Sequence, residues 1–111
     1  MSIRLHCDEP QSLLDAIVES IDDGAVEQWI YDEDGDFTHS AKQWNQKAWL
    51  RPTLEDGNLI FGIITPSGES ISSELYAIYH GRFLEMLLSH HDDLFSSAEV
   101  TSIFDEDYDL A

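Results

Sequence analysis

Hydrophobic and polar positions alternate at the start of the chain. Ile3, Leu5 and Cys7 interleave with Ser2, Arg4 and His6, the two-residue period of a strand with one solvated face. From Pro10 the period lengthens, and Leu13, Leu14, Ile17, Val18 and Ile21 fall on one stripe of a helix. Asp8 or Glu9 can cap that helix, Pro10 suits its first turn, and Gly24 is placed to end it in a left-handed conformation. Trp29, Ile30 and Tyr31 predict a second strand, Asp32-Glu33-Asp34-Gly35 a turn, and Phe37 to His39 a third strand. Residues 40 to 47 have no clear period and read as a loop. Trp49 to Leu54 and the apolar run Leu59 to Ile64 flank Glu55-Asp56-Gly57-Asn58, the pattern of a hairpin whose second strand is buried on both faces and lies at the centre of a sheet.

Thr65-Pro66-Ser67-Gly68 leaves that strand as a turn or loop. Ser72 caps the longest helix, with Glu74 in the first turn and Leu75, Ile78, Tyr79, Arg82, Phe83, Met86, Leu87 and His90 following three- and four-residue steps. Gly81, in the middle of that helix, predicts a close approach to its backbone. Ser96 followed by Glu99 has the spacing of a capping box and predicts a last short helix through Val100, Ile103 and Phe104. Residues 105–111 read as a frayed acidic tail. The fold class is therefore α+β, with a mainly antiparallel sheet of about five strands and helices packed on one face. The expected order is β-α-β-β-β-β-α-α. Residues 1–104 form a single domain, and the opening strand–helix–strand unit would allow the first strand a parallel neighbour.

Composition narrows the class. A chain of 111 residues, 42% hydrophobic and 25% charged, suits one globular domain that folds without staples. The single cysteine, Cys7, excludes an internal disulfide framework and fits a reducing compartment. The first residues lack a secretory leader pattern, and no apolar run approaches the roughly 18 residues of a membrane span. The expectation is a cytoplasmic protein without membrane contact, as a monomer or homodimer.

Motifs for chemistry are scarce. Asp32, Asp34 and Asp36 sit at the first, third and fifth positions of a calcium loop, but Phe37 stands where such a loop needs glycine and Gln43 where it needs a bidentate glutamate. The histidines, His6, His39, His80, His90 and His91, lack zinc spacing. No phosphate loop, nucleophile elbow or paired-carboxylate motif is present, so neither metal nor cofactor is expected and the balance is against an enzyme. One alternative keeps a small-molecule or catalytic pocket open, built from Trp44, Trp49, Arg51, Tyr76, His80 and Arg82. Lys42, Trp44, Lys47, Trp49 and Arg51 interleave bases and aromatics as single-strand nucleic-acid sites do. Three cations are too few for that role, and a chain of net charge −18 repels a polyanion from a distance, which argues against direct nucleic-acid binding.

The charge itself is the strongest functional signal. Residues 37–68 carry two acids and three bases, net +1, while the rest carries 21 acids and two bases, net −19. A general adaptation to salt would scatter carboxylates more evenly. They gather instead as Asp15, Glu19, Asp22 and Asp23 on the first helix, Asp32, Glu33, Asp34 and Asp36 in the turn, and Asp92 and Asp93 after the second helix. On the first helix they repel at i and i+4 and oppose the dipole at its C-terminus, so local stability did not select them. Asp15, Glu19 and Asp23 step by about 6 Å against about 3.4 Å between phosphates along a DNA strand. Several elements together would be needed to imitate a phosphate array.

In size, acidity and compartment the chain is similar to bacterial nuclease-toxin immunity proteins, anti-restriction or anti-CRISPR inhibitors and DNA-mimic proteins. That resemblance, one of composition alone, implies a binding protein whose acidic face occupies the basic site of a partner such as a nuclease or nucleic-acid-binding protein. A third expectation is an accessory subunit that assembles as a dimer through an apolar patch.

Overall fold

The computed structural model describes residues 1–66 and 69–110; Ser67 and Gly68 of the expected Thr65–Gly68 turn lie outside them. The elements run β1 (Ile3–His6), α1 (Pro10–Asp22), β2 (Trp29–Tyr31), β3 (Phe37–His39), β4 (Trp49–Glu55), β5 (Asn58–Ile64), α2 (Ser73–His90) and β6 (Ser97–Val100). The strands form one six-stranded sheet in the order β2-β3-β4-β5-β1-β6, and every adjacent pair is antiparallel. The fold is α+β, as the periodicities predict. β1 has no parallel partner: it runs antiparallel to both β5 and β6, because the long path through α1 and the hairpins returns β5 beside it in the opposite sense.

Pairing register sorts the side chains by face. Phe61 lies opposite Ile3, Leu59 opposite Leu5 and Ile63 opposite Leu50, and all six are fully buried. Both helices cover this face. Leu13 and Ile17 of α1 and Tyr79, Phe83, Met86 and Leu87 of α2 join the same core cluster. Phe83 packs edge-on against Trp29, Phe61 and, tilted, Phe37, with ring centroids 4.7 to 5.8 Å apart, a geometry that adds to area burial. Local signals set the helix ends. Ser72 accepts the Leu75 N–H at 3.1 Å, and Gly24, at φ +84°, closes α1.

The last predicted helix is a strand instead. The Ser96 backbone N–H donates to the His6 carbonyl at 2.8 Å, and the Glu99 carboxylate meets the His6 ring at 2.5 Å. An isolated short helix is marginal in water, and the open edge of β1 offered these groups better partners than the capping box did. Nor is the acidic end frayed. Asp109, 1% exposed, accepts the Ile63 N–H on Oδ1 and the Asp105 N–H on Oδ2, both at 2.8 Å, and the Met1 ammonium lies 3.2 Å from it. Leu110 N–H donates to Ile63 and Leu110 O accepts from Thr65, so residues 109–110 continue the edge of β5 beyond the start of β1.

The same segment crosses the face of the sheet turned away from the helices. The Tyr108 ring lies over Arg4, and a Cβ added to Gly62 would stand 1.8 Å from the Tyr108 carbonyl oxygen. Close backbone approach is therefore at Gly62, whereas a Cβ at Gly81 would meet nothing within 4 Å. Among the described residues no helix is long and apolar enough to cross a membrane.

Candidate functional site

α1 buries Leu13 and Ile17 and turns Asp15, Glu19 and Asp22 outward, with Asp23 exposed at its C-cap. Neither its first turn nor its last carries the charge that its dipole favours. Two contacts gather other acids around this helix. Ser20 Oγ lies 3.2 Å from His91 Nε2, which lays the segment after α2 along α1 and brings Asp92 and Asp93 beside it. The Tyr31 hydroxyl donates to Asp22 at 2.5 Å, which draws the β2–β3 turn, with Asp32, Glu33 and Asp34, to the C-terminal end of the helix. That bond to a carboxylate also raises the Tyr31 pKa above its ordinary value.

Asp36 does not belong to the exposed set. It is 4% exposed, and Arg51 grips it with Nε at 3.1 Å and Nη2 at 2.9 Å. This bidentate bond is the main reason that the Arg51 pKa is raised. Ligand atoms of Asp32, Asp34 and Asp36 do fall within 4.8 Å of one another. Asp32 Oδ1, however, accepts the N–H groups of Asp34 and Asp36 at 3.0 Å, and Asp36 is engaged by Arg51. The Asp32 carboxylate braces a tight turn, and that of Asp36 ties it to β4.

Among the described residues the ion pairs are Met1–Asp109, Arg4–Glu55, His6–Glu99 and Arg51–Asp36. None involves Asp15, Glu19, Asp22, Asp23, Asp32, Glu33, Asp34, Asp92 or Asp93. Asp8 and Glu9 extend the same side. They border, with Ser12, Asp93 and Phe95, a depression of about 300 Å³ at the start of α1. As candidate caps these two acids gave no functional signal in the sequence, and Glu9 occupies the N-cap without a side-chain bond to the helix.

The six residues of the alternative pocket are not assembled in one cavity. Tyr76 and His80 stack edge-on at 4.0 Å, and the Tyr76 hydroxyl donates to the Thr101 carbonyl. Burial holds the His80 pKa down to about 4, and among the described residues neither ring nitrogen has a hydrogen-bond partner. Trp49 and Arg51 stand on β4, opposite Ile64 and Gly62, on the face away from the helices. Trp44 lies in the 40–47 loop, its carbonyl accepting the Tyr79 hydroxyl, and Arg82 borders a different cleft beside His39. Arg82 makes no ion pair with Glu85. Cys7 is buried, and burial raises its thiol pKa, which fits an unreactive core residue.

No protein-family model, curated protein or solved structure matches the chain. Its geometry and charge are thus what bear on function.

Proposed function

We propose that the chain is a cytoplasmic protein-binding module whose acidic face occupies a basic site on a partner, in the manner of an inhibitor, immunity protein or DNA mimic. One observation carries this reading: the carboxylates of α1, of Asp32, Glu33 and Asp34 in the β2–β3 turn and of the Asp92-Asp93 segment lie on neighbouring elements, and none of them is neutralised by a cation among the described residues. Such a surface attracts a basic cleft from a distance, speeds encounter and repels acidic competitors. A nuclease or nucleic-acid-binding protein presents the complementary charge, and a bound acidic face would exclude its polyanionic substrate.

The test is affinity capture of the full chain's partner along a salt gradient, repeated with the variant Asp15→Asn, Glu19→Gln, Asp92→Asn, Asp93→Asn. A basic partner that is released as salt rises, and that the variant fails to hold, supports the reading. Partners indifferent to salt and to the four substitutions overturn it. A second reading, an accessory subunit, has its own support: Val100, Ile103 and Phe104, 46%, 75% and 42% exposed, lie in and just beyond the edge strand β6. It requires a dimer in sedimentation that Ile103→Glu dissociates.

A further inference from the structure

A cleft of about 500 Å³ opens between the C-terminal half of α2 and the chain around β2 and β3, within the usual size range of small-ligand sites, roughly 300–1,000 Å³. His39, Arg82, Gln28, Glu85 and His90 border it. Two of these groups are left with hydrogen-bonding capacity that the fold does not use.

The first is His39. It is 3% exposed and wedged against Trp29, ring centroids 5.1 Å apart. Its Nδ1 accepts the Ala41 backbone N–H at 3.0 Å, which assigns the single proton of the neutral ring to Nε2. Burial, and then the nearby Arg82 charge, lowers the His39 pKa, so this tautomer persists at neutral pH. Among the described residues Nε2 has no protein acceptor, and the ring lines the cleft. A ring held in this tautomer has one N–H left to give to an occupant of the cleft.

The second is Arg82. Arg4 is held by Glu55 and Arg51 by Asp36, whereas Arg82 has no carboxylate partner among the described residues, although Glu85 lies three positions along the same helix. A planar guanidinium and an imidazole N–H on one cleft match the two oxygens of a carboxylate. Glu85 in the lining and the net charge of −18 select against more highly charged anions. Ala41 and Met86 supply apolar lining. We propose that this cleft binds a small organic monocarboxylate, with Arg82 gripping the carboxylate, His39 Nε2–H donating to it, and the apolar body lying against Ala41 and Met86.

The probe is benzoate, titrated into the full ¹⁵N-labelled chain at constant ionic strength, with imidazole and guanidinium resonances followed by NMR. Saturable shifts at His39 Nε2 and Arg82 Nε are expected, with no comparable response to benzyl alcohol. Arg82→Gln, an exposed position, should weaken binding at least about tenfold with the amide spectrum otherwise unchanged, while the charge-matched Lys47→Gln should not. Non-saturating shifts, shifts undiminished in Arg82→Gln, or tighter saturation by inorganic phosphate would each overturn the assignment. None of these outcomes depends on the acidic face.

Discussion

On the face of the sheet turned away from the helices, acids meet cations: Arg51 holds Asp36, and Arg4 sits between Glu55 and the Tyr108 ring. On the outer surface of α1 and its neighbours, the carboxylates have no such partners. Both regions belong to one small domain with five bases in all, so where those bases went is informative. Two of them, Arg4 and Arg51, are placed where a buried or strand-borne carboxylate would otherwise be costly. The helix surface, where stability asks for balance, is left repulsive. Folding explains the first arrangement and leaves the second to be explained by what the surface meets outside the molecule.

The contrast can be broken most severely on the paired face. Gly62→Val puts a side chain where the Tyr108 carbonyl stands, 1.8 Å from the first added carbon. It should cost at least about 3 kcal/mol in denaturant unfolding or lift the 105–110 segment away; full stability would show that the segment does not press on the sheet. His80 comes next and separates buried titration from surface repulsion. Its folded pKa is about 4 against 6.5 for the ordinary side chain, so the unfolded chain binds the extra proton between those values. Its contribution is complete above about pH 6.5 and is lost as pH falls towards 4, about 3 kcal/mol in total. Lowered His39 and His91 pKa values act in the same direction. The variant His80→Leu should lack most of that slope, and a slope equal to that of the parent chain would assign acid sensitivity to other groups.

Smaller effects test the charge asymmetry directly. Arg51→Gln leaves the buried Asp36 carboxylate without its cation. Because Arg51 is itself half exposed, the expected loss is about 2 kcal/mol rather than the larger cost of a fully buried pair. On α1 the sign reverses. Glu19→Gln removes the i, i+4 repulsion with Asp15 and should stabilise the fold by about 0.3 kcal/mol at low salt, with the gain fading as salt is added. Equal destabilisation at both places would erase the distinction between the two surfaces.

Much of this architecture was legible in local patterns. The β4–β5 hairpin followed from an apolar run behind Asp56-Gly57, and α1 and α2 from stripes with cap residues at their ends. What escaped depends on distant partners. Ser96 and Glu99 carry a helix signal that the open edge of β1 overrides, and nothing near Gly62 says that Tyr108 will lie across it. At the candidate site the acids could be named from sequence, but their grouping could not: Asp22 joins the β2–β3 turn through Tyr31, Asp93 borders the same depression as Asp8 and Glu9, and Asp36 is withdrawn by Arg51, fifteen residues on. The His39 cleft was invisible because its key facts are a tautomer fixed by the Ala41 N–H and the lack of a partner for Arg82.

The Asp109 contact also gives the centre of the sheet an unusual clock. The Ile63 amide lies in β5, an inner strand, just past the start of β1, and its acceptor is a side chain on the docked 105–110 segment. Its hydrogen exchange with solvent deuterium will therefore be timed by how often that segment lifts off. Neighbouring β5 amides bonded to β1 or β4 will wait for the sheet itself to open.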